Sequence, residues 1–195
     1  MQVIKKSVDD SILSAAEKEF SEKGYSASSI RAIASSAKTS VGNIYKYYPG
    51  KEKLFLAVVM PTADECIDLV DKTLTFTDEA LAKEAVYMAD YIDSHRAVFR
   101  ALFSGPSGHY AAFMDRYTEC VAKKLREYTS EHIPEASALV SNPTFFNALA
   151  AAFVGGIRPI IEHFSGKDEA EKYLNELFKF LFSDFDNRIA ALEKK

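Results

Sequence analysis

The chain has 195 residues, 48% of them hydrophobic, and carries 24 Lys/Arg against 28 Asp/Glu for a formal net charge of −4. That is ample apolar material for a core and excludes a disordered polymer. The first six residues hold no apolar run of signal-peptide length, the stretch Ala148 to Ile157 falls short of the roughly 18 residues that span a bilayer, and Cys66 and Cys120 are isolated. A membrane span, a structural disulfide and a metal site are therefore not expected, and the cytoplasm is the expected location.

Helical periodicity starts at the N-terminus. Val8, Ile12, Ala15, Ala16 and Phe20 recur at helical spacing and Gly24 follows as a stop signal, predicting a helix over about 8–23. Ile30, Ile33 and Ala34 share one face of a short second helix, and Ala37 supplies the small side chain that close helix approach needs. Ser40 is placed to N-cap a third short helix anchored by Ile44. Two short helices separated by a tight turn make a helix-turn-helix. Beyond Pro49 and Gly50, a helix from about Lys51 carries Leu54, Phe55 and Val58 and continues through Ile67, Val70 and Leu74. Pro61 inside it cannot donate to the Ala57 carbonyl, so a kink near 57–61 is expected. Further helices are predicted at about 78–94, 95–104 and 107–130. Two long ones near 143–164 and 168–192 carry more apolar surface than one core-facing stripe uses. No strand-like alternation and no internal repeat is present, so the fold class is all-α.

The charge is unevenly placed. Residues 1–60 hold nine Lys/Arg and six Asp/Glu, a net +3, whereas residues 61–195 hold fifteen and twenty-two, a net −7. Within 23–53, Lys23, Arg31, Lys38, Lys46, Lys51 and Lys53 stand against Glu52 alone. Such a cluster supplies the salt-dependent phosphate attraction of DNA binding, while the acidic remainder stays off the duplex. The first turn of the third helix, Ser40-Val41-Gly42-Asn43, offers a hydroxyl, an apolar surface, a bare backbone and an amide, all short enough to reach base edges.

In order along the chain stand Gly24-Tyr25, Ser28-Ser29, Ile33-Ala34, Ser40-Val41-Gly42, Ile44-Tyr45, Tyr47-Tyr48 and Lys51-Glu52. This succession resembles the N-terminal DNA-binding domain of TetR-type transcriptional regulators. Lys38 departs from that pattern, standing where the turn commonly has Gly, as does Thr39, where an apolar residue is common. The resemblance implies an N-terminal three-helix DNA-binding domain with a helix-turn-helix over residues 1–50. A larger helical ligand-binding and dimerisation domain would then occupy 51–195. It further implies that Ser28, Ser29, Tyr45, Tyr47 and Lys51 hold phosphates and that Ser40, Val41, Gly42 and Asn43 lie against the major groove of double-stranded DNA. Arg31, Lys38 and Lys46 join them on charge, whereas Tyr48 is expected in the core and Lys53 in solvent.

The resemblance also implies a small-molecule effector bound among the middle helices. Their aromatic and sulfur side chains, with a few polar groups to orient a ligand, name the candidates: Met88, Tyr91, Phe99, Arg100, Phe103, His109, Tyr110, Phe113, Met114 and Tyr117. The effector is then largely apolar or aromatic. For a homodimer, Phe146, Phe153, Ile157, Ile161, Leu174, Leu177, Phe178, Leu181 and Phe185 are the candidate interface. No phosphate loop, GxSxG elbow or HExxH occurs, and His95, His109, His132 and His163 are scattered. No catalytic residue, metal or cofactor is therefore expected. The function expected is a sequence-specific repressor released from a palindromic operator by its ligand. The competing readings are a DNA-associated protein acting through a protein partner and a helical enzyme.

Overall fold

In the computed structural model, residues 2–192 are described, with side chains from residue 8 onward. Eleven α-helices and a 3₁₀ turn account for nearly all of them. These are α1 Gln2–Ala27, α2 Ile30–Ser36, α3 Val41–Tyr47, α4 Lys51–Thr73, α5 Asp78–Ser94, α6 Arg96–Phe103 and α7 Ser107–His132. After the 3₁₀ turn Pro134–Ala136 come α8 Ser137–Ser141, α9 Pro143–His163, α10 Lys167–Phe182 and α11 Phe185–Leu192. Gly24 interrupts α1 with φ 72° and ψ 167°, so the expected stop is a real break in the helix.

The chain forms two compact units, residues 1–64 with 95–111 and residues 65–94 with 112–195. In the first, α1 buries Ile12, Ala16 and Phe20 with Ile33 of α2, Ile44 of α3 and Leu54 and Phe55 of α4. Phe20, Tyr25 and Phe55 form an aromatic trio with centroids 5.1 to 6.1 Å apart. Helix α6 packs on α1. The unit takes in more chain than residues 1–50, including the start of α4 and all of α6. Gly105 belongs to the same packing: a methyl group there would lie 2.4 Å from Phe55 Cζ, so only glycine fits against that ring.

In the second unit α10 packs against α5 and α9. Its core is aromatic, with Phe76 5.2 Å from Phe182 and 5.4 Å from Phe185, and Phe153 5.2 Å from Phe178. The single helix expected over 168–192 is two, broken at Asp184, whose φ is 53°. Arg188 closes the break by donating from Nη1 to the Leu181 carbonyl at 3.1 Å, and Asn187 Nδ2 donates to Asp184 Oδ1 at 2.6 Å. Phe182 and Phe185, on either side of the break, are both buried. By length and composition alone, helix α9 is long and apolar enough to cross a membrane. Its buried face, including Phe146, Ala150, Phe153 and Ile157, lies in this core.

Candidate nucleic-acid interface

The helix-turn-helix is built from backbone caps. Ser29 N-caps α2, its Oγ accepting the Arg31 N–H at 3.2 Å. At the other end the Thr39 N–H donates to the Ala34 carbonyl at 2.9 Å and the Lys38 N–H to the Ser35 carbonyl at 3.2 Å. With Lys38 at φ 52° this is a Schellman motif, whose left-handed position is normally glycine. Lysine there costs about 1 kcal/mol of backbone strain. The turn is followed at once by Ser40, which N-caps α3 by accepting the Asn43 N–H on Oγ at 3.0 Å. Asn43 folds its side chain back, Nδ2 donating to Thr39 Oγ1 at 2.9 Å. The hydroxyl of Thr39, in the position where an apolar residue was expected, thus has a side-chain partner.

Behind the turn, several polar residues hold the module together. Lys51 Nζ donates to the carbonyls of Ser28 at 2.7 Å and Ser26 at 3.3 Å and lies 4.7 Å from the centre of the Tyr25 ring. The Ser28 hydroxyl donates to the Tyr25 carbonyl at 2.7 Å, and the residue is only 6% exposed. These two residues, expected at phosphates, tie the α1–α2 corner to the start of α4. Their donors are turned inward because that corner leaves carbonyls without helical partners. Glu19 accepts the Ser29 N–H at 3.2 Å and pairs with Lys23 at 3.0 Å. Tyr48 donates its hydroxyl to Asp9 at 2.6 Å. Burial and that carboxylate push the Tyr48 phenol well above its ordinary pKa, so it stays a donor. The roles of Asp9 and Glu19 escape a reading by periodicity, since both sit on the polar side of α1.

The outward surface keeps the remaining candidates. Arg31, Lys38, Ser40, Gly42 and Lys46 are exposed, as are Ser29 and Lys53, and Tyr45 is 49% exposed. Val41, Asn43 and Tyr47 are half-buried. A methyl group on Gly42 would meet no protein atom closer than Ser40 Oγ at 4.0 Å. Packing within the protein does not require that glycine.

The effector candidates separate into two groups. In the first unit, Phe99 is buried and tilted against Phe103 at 6.3 Å, Phe103 meets Tyr110 edge-on at 5.4 Å, and Arg100 is exposed. His109 Nε2 lies 2.7 Å from Glu52 Oε1, at the start of α4. In the second unit, Met88, Phe113 and Tyr117 are buried, Tyr91 and Met114 half-buried. Phe113 stacks on Tyr117 at 5.8 Å, and Tyr91 donates to Glu65 at 3.2 Å. Tyr117 hydrogen-bonds Cys66, whose thiol burial pushes up to about 12. Both cysteines are free and half-buried. Among the described residues no cluster of three His, Cys, Asp or Glu is arranged to hold a metal.

Most of the candidate dimer residues are core of their own protomer. Phe146, Phe153, Ile157, Ile161, Leu174, Phe178 and Phe185 are buried; only Leu177 and Leu181 reach the surface. The correction has a simple cause: periodicity identifies the more apolar face of a helix, and that face went inward. The outward face of α9 is Ala148, Ala151, Ala152, Gly155 and Pro159, and that of α10 includes Tyr173 and Phe180, the latter 80% exposed.

The comparisons with known proteins agree with this arrangement. The family of bacterial regulatory proteins of the tetR type matches residues 12–58, which contain the helix-turn-helix. The HTH-type transcriptional repressor NicS of Pseudomonas putida is 33% identical over 161 residues, which are 78% of this chain. The chain spans 61% of that relative's length. Among solved structures, a TerR/AcrR-family regulator from Aquifex aeolicus superposes with a TM-score of 0.67 at 19% identity, covering 90% of this chain and 99% of that one. FadR of Bacillus subtilis, solved in complex with stearoyl-CoA, gives 0.57 at 15% identity, covering 89% and 97%. With a family match over its N-terminal helix-turn-helix module, on an all-α frame, this chain carries the DNA-binding module of the TetR family.

Proposed function

We propose that the protein is a sequence-specific DNA-binding transcriptional regulator, a homodimeric repressor that a small ligand releases from a palindromic operator. The observation that carries this reading is the first turn of α3. It is capped by Ser40, flanked by exposed Arg31, Lys38 and Lys46, and holds a glycine that no contact inside the protein requires. Glycine in an exposed helix costs roughly 1 kcal/mol relative to alanine. Approach of the backbone to DNA gives that cost a use. Arg31, Lys38, Tyr45, Lys46 and Tyr47 then hold phosphates, Ser40, Val41 and Gly42 face the groove, and Asn43 reaches a base only by releasing Thr39.

The small residues along the outward face of α9, beside Tyr173, Leu177 and Phe180 of α10, support a two-fold interface between copies of the chain. The P. putida relative is a repressor by name, which supports repression as the sign. Ligand control follows if an effector has different affinity for the DNA-competent and DNA-incompetent states. The aromatic and sulfur side chains of the second unit, Met88, Tyr91, Phe113 and Tyr117, are the place we assign to it.

Selection of bound sequences from random duplex DNA tests the central claim. Enrichment of an inverted repeat, with half-sites about one helical turn apart, is expected. A folded dimer that enriches nothing over a shuffled control at fixed salt would overturn it.

A further inference from the structure

The first turn of α3 has one amide side chain, and that amide is already engaged. Asn43 stands three residues beyond the Ser40 cap, half-buried, with Nδ2 2.9 Å from Thr39 Oγ1. Its own N–H donates to Ser40 Oγ at 3.0 Å, so the residue is held to the turn by main chain and side chain together. Thr39 is held in its turn, its N–H donating to the Ala34 carbonyl at 2.9 Å within the Schellman motif that closes α2. The hydroxyl that receives the amide therefore sits on a fixed backbone. It also stands where this chain departs from the common sequence of the turn, in which an apolar side chain would offer an amide nothing.

An asparagine reads adenine in the major groove by a two-point contact. Oδ1 accepts from the base N6–H and Nδ2 donates to N7, which together discriminate by roughly 5- to 150-fold. Both atoms must face away from the protein to do so. With its nitrogen turned back on Thr39, the amide makes that contact only by giving up the internal hydrogen bond, a loss of about fivefold in affinity. No other side chain of the turn can replace it. Val41 and Gly42 carry no polar side-chain group and Ser40 has a single hydroxyl, so Asn43 alone could select one base by two bonds.

We propose that Thr39 sets base preference from behind the reading surface: it withholds the Asn43 amide from base edges and leaves the operator position opposite Asn43 weakly specified. The inference rests on the reading of α3 as the DNA-reading helix and names the residue that tunes its specificity. Thr39 touches no base in this role. It acts through Asn43 and is a positioning residue. A side-chain bond that merely steadied the helix cap would change stability when removed and leave base preference as it was.

The test is selection of bound sequences from random duplex DNA by the full chain and by Thr39→Val, Thr39→Ser, Asn43→Ala and the double variant Thr39→Val/Asn43→Ala. The unaltered chain and Thr39→Ser, which keeps the hydroxyl, are expected to enrich the same motif, with little preference opposite Asn43. Thr39→Val keeps the shape and frees the amide. It should gain adenine at one position in each half-site, about fivefold over the unaltered chain, with half-site spacing and salt slope unchanged. The double variant should lose that gain. An unchanged motif in Thr39→Val, a shift shared by Thr39→Ser, or a shift that survives without Asn43 overturns the proposal. So does the loss in Thr39→Val of a preference that the unaltered chain has, since Thr39 would then present the amide instead of withholding it. If Thr39→Val fails to fold, Thr39→Ala carries the same expectation. In the free protein, nitrogen relaxation should find the Asn43 side-chain amide ordered in the unaltered chain and mobile in Thr39→Val, and equal mobility counts against the lock. A folded, unaltered chain that enriches no motif refutes the reading of α3 and this inference with it, whereas a motif unmoved by Thr39→Val refutes the inference alone.

Discussion

Lys38 carries opposite demands on one backbone position. Its φ of 52° suits glycine, while its exposed ammonium stands beside the proposed DNA surface. Lys38→Gly is expected to raise stability by about 1 kcal/mol in denaturant unfolding. The same change should weaken DNA binding and reduce the slope of log affinity against log salt by about 1, as loss of one phosphate contact does. A variant that gains stability with an unchanged salt slope would remove Lys38 from the interface. Lys51 separates the same two roles in the other direction. With its ammonium on the Ser26 and Ser28 carbonyls, Lys51→Met should cost about 1–2 kcal/mol of stability. A phosphate contact alone would lower DNA affinity and leave unfolding unchanged. Glu84, buried on α5, gives a pH signature. Burial raises its folded-state pKa, so the folded protein holds a proton that the unfolded chain releases as pH rises past its ordinary value near 4.5. The stability tied to that proton is complete below this value and declines as pH climbs toward the folded pKa. Glu84→Gln should therefore stabilise the protein at neutral pH and flatten its pH profile, with little difference at pH 4 in urea melts.

Among the elements, the pair Gly105 and Gly108 separates packing from propensity. An alanine at 105 drives a methyl into Phe55, whereas one at 108, inside α7, meets nothing within 4 Å. Gly105→Ala should cost about 1–3 kcal/mol. Gly108→Ala should be neutral or stabilising by up to roughly 1 kcal/mol. Equal effects in thermal unfolding would show that the Phe55 contact does not constrain the α6–α7 turn. Element existence was readable in the sequence to within a residue or two from α5 to α7, because long amphipathic stripes leave little choice of register. The α10–α11 break was not, since Leu181, Phe182, Phe185 and Ile189 keep helical spacing straight through Asp184. The signal that ends α10 is a tertiary one, Phe76 drawing Phe182 and Phe185 from either side of the turn. At the helix-turn-helix, the exposed basic residues were legible from composition. The inward turn of Lys51 was not, because a hydrogen bond to a carbonyl 23 residues away leaves no local trace.

For the whole molecule, the proposed pairing of copies rests on exposed Phe180 more than on any of the buried aromatics. A phenylalanine 80% exposed on α10, a helix that packs against α9, is a surface in need of a partner. Phe180→Asp should shift sedimentation from dimer to monomer, keep the thermal transition of the fold, and abolish preference for an inverted repeat over a single half-site. A variant that stays dimeric would place the interface elsewhere.

The order of the chain in the two units has a consequence for synthesis. The first unit has all of its sequence once residue 111 has been made, but the second waits for Phe185 and Ile189, which fill its core from α11. On the ribosome, where domains fold as they emerge, the half proposed to touch operators can be finished while the half proposed to pair copies and sense a ligand is still an open chain with Phe76 uncovered. A chain broken between those points would keep the proposed DNA-binding unit and lose the α11 side chains that fill the second core.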